Sequence, residues 1–210
     1  FRHFVLGTVA IFIYVGVEVG IPNFANLFMT SPEINIDPTI AGSVVGTYWF
    51  LMMIGRLCGA SIGAKVSSRA MLTVVSTVGI VLVLGAIFCA DNILVNMPVF
   101  KSDISFGFAQ VPVNVMLLIL CGLCTSVMWG GIFNLAVEGL GKYTAAASGL
   151  FMVMVCGGGI LPLIQGGVAD FAGFLNSYWV IALGLAYILF YAAIGSKNVN
   201  TDIPTDDYEA

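Results

Sequence analysis

The sequence predicts an all-α membrane protein with six transmembrane helices. Three observations carry that expectation. The 210 residues are 60% hydrophobic and only 9% charged, against about 25% charged in an ordinary soluble domain. The apolar runs are long enough to cross a bilayer, since about 20 residues at 1.5 Å rise span a hydrocarbon core of about 30 Å. They are also continuous rather than alternating, which favours helices over a barrel.

The spans fall at about 4–29, 40–64, 70–90, 112–137, 144–169 and 176–195, making one transmembrane lobe over residues 1–195. The first carries Pro22, which removes a backbone donor and predicts a kink. The second holds Gly55, Gly59 and Gly63 in one row, and the fourth holds Gly122, Ser126 and Gly130. Such small residues let helix backbones approach closely in lipid. The third and sixth carry no charge within their runs. The fifth contains CGGGILP at 156–162, which predicts a weakened or bent helix. The connections are short except 91–111, a semi-apolar stretch expected to hold a short interfacial helix. The tail 196–210, with Asp202, Asp206, Asp207 and Glu209, is polar and expected to be disordered. The chain begins FRHF, without a signal-peptide n-region, and reads as a piece of something longer.

Charge gives an orientation. Arg2, Lys65, Arg69, Lys142 and Lys197 lie on the side of the termini, with only Lys101 opposite, beside Glu33, Asp37, Asp91, Asp103 and Asp170. The positive-inside rule then places both termini in the cytoplasm. No basic stripe exists, so nucleic acid is not an expected partner. Cys58, Cys89, Cys121, Cys124 and Cys156 all lie in or beside apolar runs and read as small packing residues. His3 is expected at the cytoplasmic edge, so neither a buried histidine relay nor a metal site is foreseen. No phosphate loop, Ser–Lys pair or paired-Asp arrangement points to a cofactor or to enzymatic chemistry.

The polar residues inside the spans are the functional candidates. Glu18, in YVGVEVG, lies near the middle of the first span, where a carboxylate costs about 2.5–3.5 kcal/mol on insertion scales. Desolvation favours its neutral form, which suits a proton carrier or a sugar-hydroxyl acceptor. Tyr14 lies one turn earlier, and Asn23 and Asn26 follow on the outer half. Amides both donate and accept, as a polyhydroxylated ligand requires. Trp129 offers a flat aromatic face beside two glycines, with Asn134 further inward and Gln165 on the fifth span. Tyr48 and Trp49 read as aromatic-belt residues at the outer interface. Arg56 keeps its charge and needs an anion or the cytoplasmic interface. Glu138 is its expected partner in one conformation, with Lys142 as a rival for Glu138.

YVGVEVG, MIGRLCG, IFNLAVEGLGKYT, ASG and GGGILPLIQGGVAD occur in this order over essentially the whole chain. Together they resemble the fucose–galactose–glucose:proton symporter family of the major facilitator superfamily, over its C-terminal half. The resemblance implies one half of a major facilitator fold, built as two inverted three-helix repeats. The first and fourth spans would line a central cavity, and the third and sixth would face lipid. It further implies a partner, an N-terminal six-helix half, and an inner-membrane location. A hexose or deoxyhexose would bind at Glu18, Asn23, Asn26, Trp129, Asn134 and Gln165, with Glu18 as proton-coupling candidate. Arg56 and Glu138 would form a cytoplasmic latch. The rival expectations are a major facilitator for an amino-sugar or drug-like solute, and a non-transporting six-helix scaffold.

Overall fold

A computed structural model describes residues 1–101, 103–200 and 203. Asp202, Asp206, Asp207 and Glu209 of the tail lie outside the described residues. The chain folds into helices α1 (Arg2–Thr30), α2 (Pro38–Gly63) and α3 (Ser68–Phe88), then strands β1 (Leu94–Phe100) and β2 (Phe106–Pro112). Helices α4 (Val113–Thr125), α5 (Met128–Val137), α6 (Thr144–Val153), α7 (Gly157–Ala172) and α8 (Phe174–Phe190) follow. Taken across their short breaks, these make six helical segments long and apolar enough to cross a membrane.

Local chemistry sets several ends. Asp37 caps α2 by accepting from the Thr39 N–H at 2.8 Å, with Pro38 in the first turn, where its missing donor costs nothing. The same backbone bond holds the Asp37 carboxyl below the usual carboxylate range. Ser67 caps α3 through the Ala70 N–H. Gly173, at φ +91°, closes α7 and turns the chain into α8.

Two spans are broken. The fifth carries a 3-10 turn at Met154–Cys156, next to the glycines expected to weaken it. The fourth is interrupted between Thr125 and Met128, which the apolar pattern did not signal.

The connection at 91–111 is a correction. It holds no helix but an antiparallel hairpin, with Leu94 opposite Pro112 and Phe100 opposite Phe106. Its period of two is visible in hindsight. Met97, Val99, Ala109 and Val111 are buried, while Asn96, Pro98, Phe106, Phe108 and Gln110 are exposed.

Helix α1 is the axis of the lobe and packs on α2, α4, α5, α7 and α8, while α3 packs on α4 and α8. Fully buried Tyr14, Tyr48, Tyr178 and Tyr191 belong to the core with Ile11, Ile21, Leu118 and Met128. Tyr48 is therefore not a belt residue, whereas its neighbour Trp49 is 43% exposed. Cys121 and Cys124 pack as expected; Cys58 and Cys156 are exposed, and no disulfide forms among the described cysteines. His3 is also buried, not merely peripheral, with Nε2 at 2.9 Å from the Glu138 carbonyl.

Candidate functional site: a carboxylate held at a helix kink

Glu18 sits where α1 has lost a backbone hydrogen bond. Pro22, four residues on, has no N–H to close on the Glu18 carbonyl. The Tyr48 hydroxyl of α2 donates to that carbonyl at 3.1 Å. A second defect lies beside it. The break after Thr125 leaves the last carbonyls of α4 without helical donors, and the Tyr14 hydroxyl donates to Thr125 O at 3.1 Å. Tyr48 Oη also lies 3.0 Å from Thr125 Oγ1. Two tyrosines thus stitch a kink in one span to a break in another. This network is missing from the sequence reading. Its one sequence signal is the row Tyr48, Met52, Arg56, spaced four apart on one helix face.

The network predicts a measurable asymmetry. Tyr48→Phe leaves the buried Glu18 carbonyl unpaired, a cost of about 1–3 kcal/mol. Tyr187→Phe removes a donor to Leu6 O, at 3.2 Å, from a carbonyl within regular α1. Thermal unfolding in detergent should show Tyr48→Phe clearly less stable than Tyr187→Phe; equal midpoints would contradict the account.

The Glu18 side chain is 15% exposed and its Oε1 lies 3.2 Å from Arg56 Nη2. The same Nη2 also lies 3.4 Å from Met52 Sδ. Arg56 thus pairs with Glu18, and the expected Arg56–Glu138 contact is not made. Glu138 lines a neighbouring cavity of about 430 Å³ with Ser67, Ser68, Arg69, Asn134 and Leu135. The physical reason is register: Arg56 lies about two turns short of the end of α2, whereas Glu138 follows the last residue of α5.

A cavity of about 570 Å³ adjoins the pair, lined by Arg56, Met71, Ser126, Trp129, Gly130 and Asn134 among others. Trp129 is held by Tyr14 and by Phe151, with ring centroids 6.4 and 5.7 Å away. The exposed glycine beside it, Gly130, has no neighbour where a Cβ would stand, so the indole borders open space. Asn134 Nδ2 reaches Ser68 Oγ at 3.5 Å. Asn23 and Asn26 lie elsewhere, in a groove of about 440 Å³ with Gly159, Pro162 and Leu163. Gln165 is a correction. It is fully buried, its Nε2 donates to Ser177 Oγ of α8 at 3.4 Å, and its Oε1 abuts Gly20 of α1. It faces the seam between helices, not an open cavity.

No family profile matches the chain. Curated relatives do. A glucose/galactose transporter of Brucella abortus is 31% identical over 199 residues, covering 94% of this chain and 43% of that protein. A putative glucose/galactose transporter of Helicobacter pylori is 32% identical over 201 residues, with 93% and 44% covered. The L-fucose-proton symporter of Escherichia coli is 22% identical over 197 residues, with 93% and 40% covered. The solved structure of the Major Facilitator Superfamily transporter FucP, in its outward conformation, superposes with a TM-score of 0.78. It is 22% identical, and the match covers 94% of this chain and 43% of that one. The chain has one half of a major facilitator fold. It spans less than half the length of the relatives it matches. In this lobe the Arg56 end of the Glu18–Arg56 pair lines the Trp129 cavity, while Asn23 and Asn26 line a second groove between α1 and α7.

Proposed function

We propose that the chain is the C-terminal half of a secondary active transporter that imports a hexose or deoxyhexose with protons by alternating access. Both termini face the cytoplasm, the membrane is the inner membrane, and an N-terminal six-helix half completes the cavity. One observation carries this reading: within membrane-spanning helices a carboxylate pairs at 3.2 Å with a guanidinium that itself lines a cavity holding an indole face. Ionisable groups inside membrane spans are expensive and mark pathways for solutes or protons. Glu18 can accept from sugar hydroxyls or take the coupled proton, and protonation would release Arg56. The aromatic face of Trp129 suits the C–H face of a pyranose, with Asn134 lining the same cavity. Asn23 and Asn26 would meet the sugar from the outer side. Arg56 and Glu138 remain gating candidates one by one, since they do not pair here, and Arg69 lines the Glu138 cavity. The relatives named for glucose, galactose and fucose favour a hexose over other solutes.

The deciding experiment uses the full-length transporter in proteoliposomes with an inward proton gradient. Labelled glucose, galactose or fucose should accumulate above equilibrium, and a protonophore should collapse the accumulation. Uptake of none of the three, or uptake that only equilibrates and ignores the gradient, would overturn the proposal.

A further inference from the structure

The β1–β2 hairpin lies at membrane depth, and that placement constrains what can surround it. Helix α2 runs inward from Pro38 over 26 residues, roughly 39 Å at 1.5 Å per residue. A hydrocarbon core of about 30 Å then begins about one turn inside Pro38. Thr47 lies nine positions along, roughly 13 Å from that end. The Phe100 N–H, at the tip of β1, donates to Thr47 Oγ1 at 2.9 Å, and the Phe100 ring stacks on Phe50 with centroids 4.7 Å apart. Helix α4 gives the same scale independently. Gly122, nine positions past Val113, abuts the Tyr48 carbonyl, so the outer ends of α2 and α4 are level. The hairpin starts at those ends and descends along α2.

A two-stranded sheet has two unpaired edges, and β1 and β2 pair only with each other. Unpaired backbone donors and acceptors cannot face hydrocarbon; at this depth they need water or protein. The exposed polar side chains agree, since Asn96, Lys101, Asp103 and Gln110 all project outward. Water alone does not explain the rest. Between hairpin and α2 runs a groove of about 930 Å³, lined by Trp49, Phe50, Met53, Phe100, Ile104 and Phe106 among others. Ile104 is 80% and Phe106 67% exposed. On the floor of the groove Gly42 has no neighbour at its Cβ position, and Gly46 meets only the Phe100 carbonyl. A backbone can therefore come close there. The matched relatives are more than twice as long as this chain, so a second lobe is available to cover it.

We propose that the hairpin is an outer gate. It lines the aqueous mouth of the cleft between the lobes, and its groove with α2 receives an apolar helix face of the second lobe when that mouth closes. This rests on the two-lobed reading above. The test uses the full-length transporter in a background freed of reactive cysteines, with two variants. Ile104→Cys should react with a membrane-impermeant maleimide applied from outside, and a transported hexose at saturation should slow that reaction by at least about fivefold. Phe108→Trp should add fluorescence that brominated acyl chains do not quench. Quenching by the brominated lipid would place the hairpin against hydrocarbon and overturn the proposal. In a protein that does carry a hexose, a labelling rate indifferent to that hexose would overturn it as well. Failure of the wild-type protein to carry any hexose would count against the sugar reading alone, because the contrast between maleimide and brominated lipid judges the hairpin's surroundings without transport.

Discussion

Glu18→Gln should abolish gradient-driven accumulation in the full-length transporter while leaving the protein folded. Glutamine keeps the shape and still accepts a hydrogen bond from Arg56, so the α1–α2 contact persists without the ion pair. It can neither carry a charge nor release one. With no titrating group left at the proposed coupling position, concentrative uptake should fall by roughly 10- to 100-fold, about 1.4 kcal/mol per tenfold. Counterflow of sugar across a membrane without a gradient separates the two roles. If Glu18 carries the proton, counterflow survives in Glu18→Gln and only accumulation is lost. If Glu18 only binds sugar, both fall together. Accumulation equal to wild type would remove Glu18 from the mechanism.

Gly157→Ala should be the most damaging single methyl in the lobe. Gly157 begins α7 where it crosses α1, and an added Cβ would collide with the Phe12 carbonyl oxygen and stand 2.6 Å from its carbonyl carbon. The obstacle is backbone inside a 29-residue helix, which cannot rotate aside as a side chain can. Overpacking of this kind costs about 1–3 kcal/mol, and more where nothing yields. Gly79→Ala is the matched control. It too is buried, but its nearest neighbour, Leu185 Cδ1, would lie at 3.4 Å, an ordinary contact. Thermal unfolding of the two variants in detergent should show a large loss for Gly157→Ala and little change for Gly79→Ala. Similar midpoints would mean that α1 and α7 can separate at no cost.

The two sites differ in how far they could be read in advance. Glu18 and Arg56 stood out because a charge inside an apolar run is expensive wherever it points. Their pairing did not, since the two residues are 38 positions apart and meet only through the packing of α1 on α2. Glu138 was the expected partner because it is acidic and on the same side of the membrane, which says nothing about depth along a helix. Gln165 looked like a cavity residue because polarity within a span invites that reading; its amide instead bridges to Ser177 in a closed seam. The hairpin was missed because its period of two lies within a short segment whose overall apolar content masked it.

By itself the sequence determined the solvent, the number of spans, the side that carries the positive charge and the presence of two costly ions within the membrane. Each follows from composition or from length along one helix, and the bilayer reads those locally. Only the tertiary structure decided which carbonyls the kinks at Pro22 and Thr125 release, which tyrosines satisfy them, and which acid Arg56 meets. Those outcomes depend on the rotation and depth of one helix against another, set by side-chain packing and close backbone contacts between segments far apart in the chain.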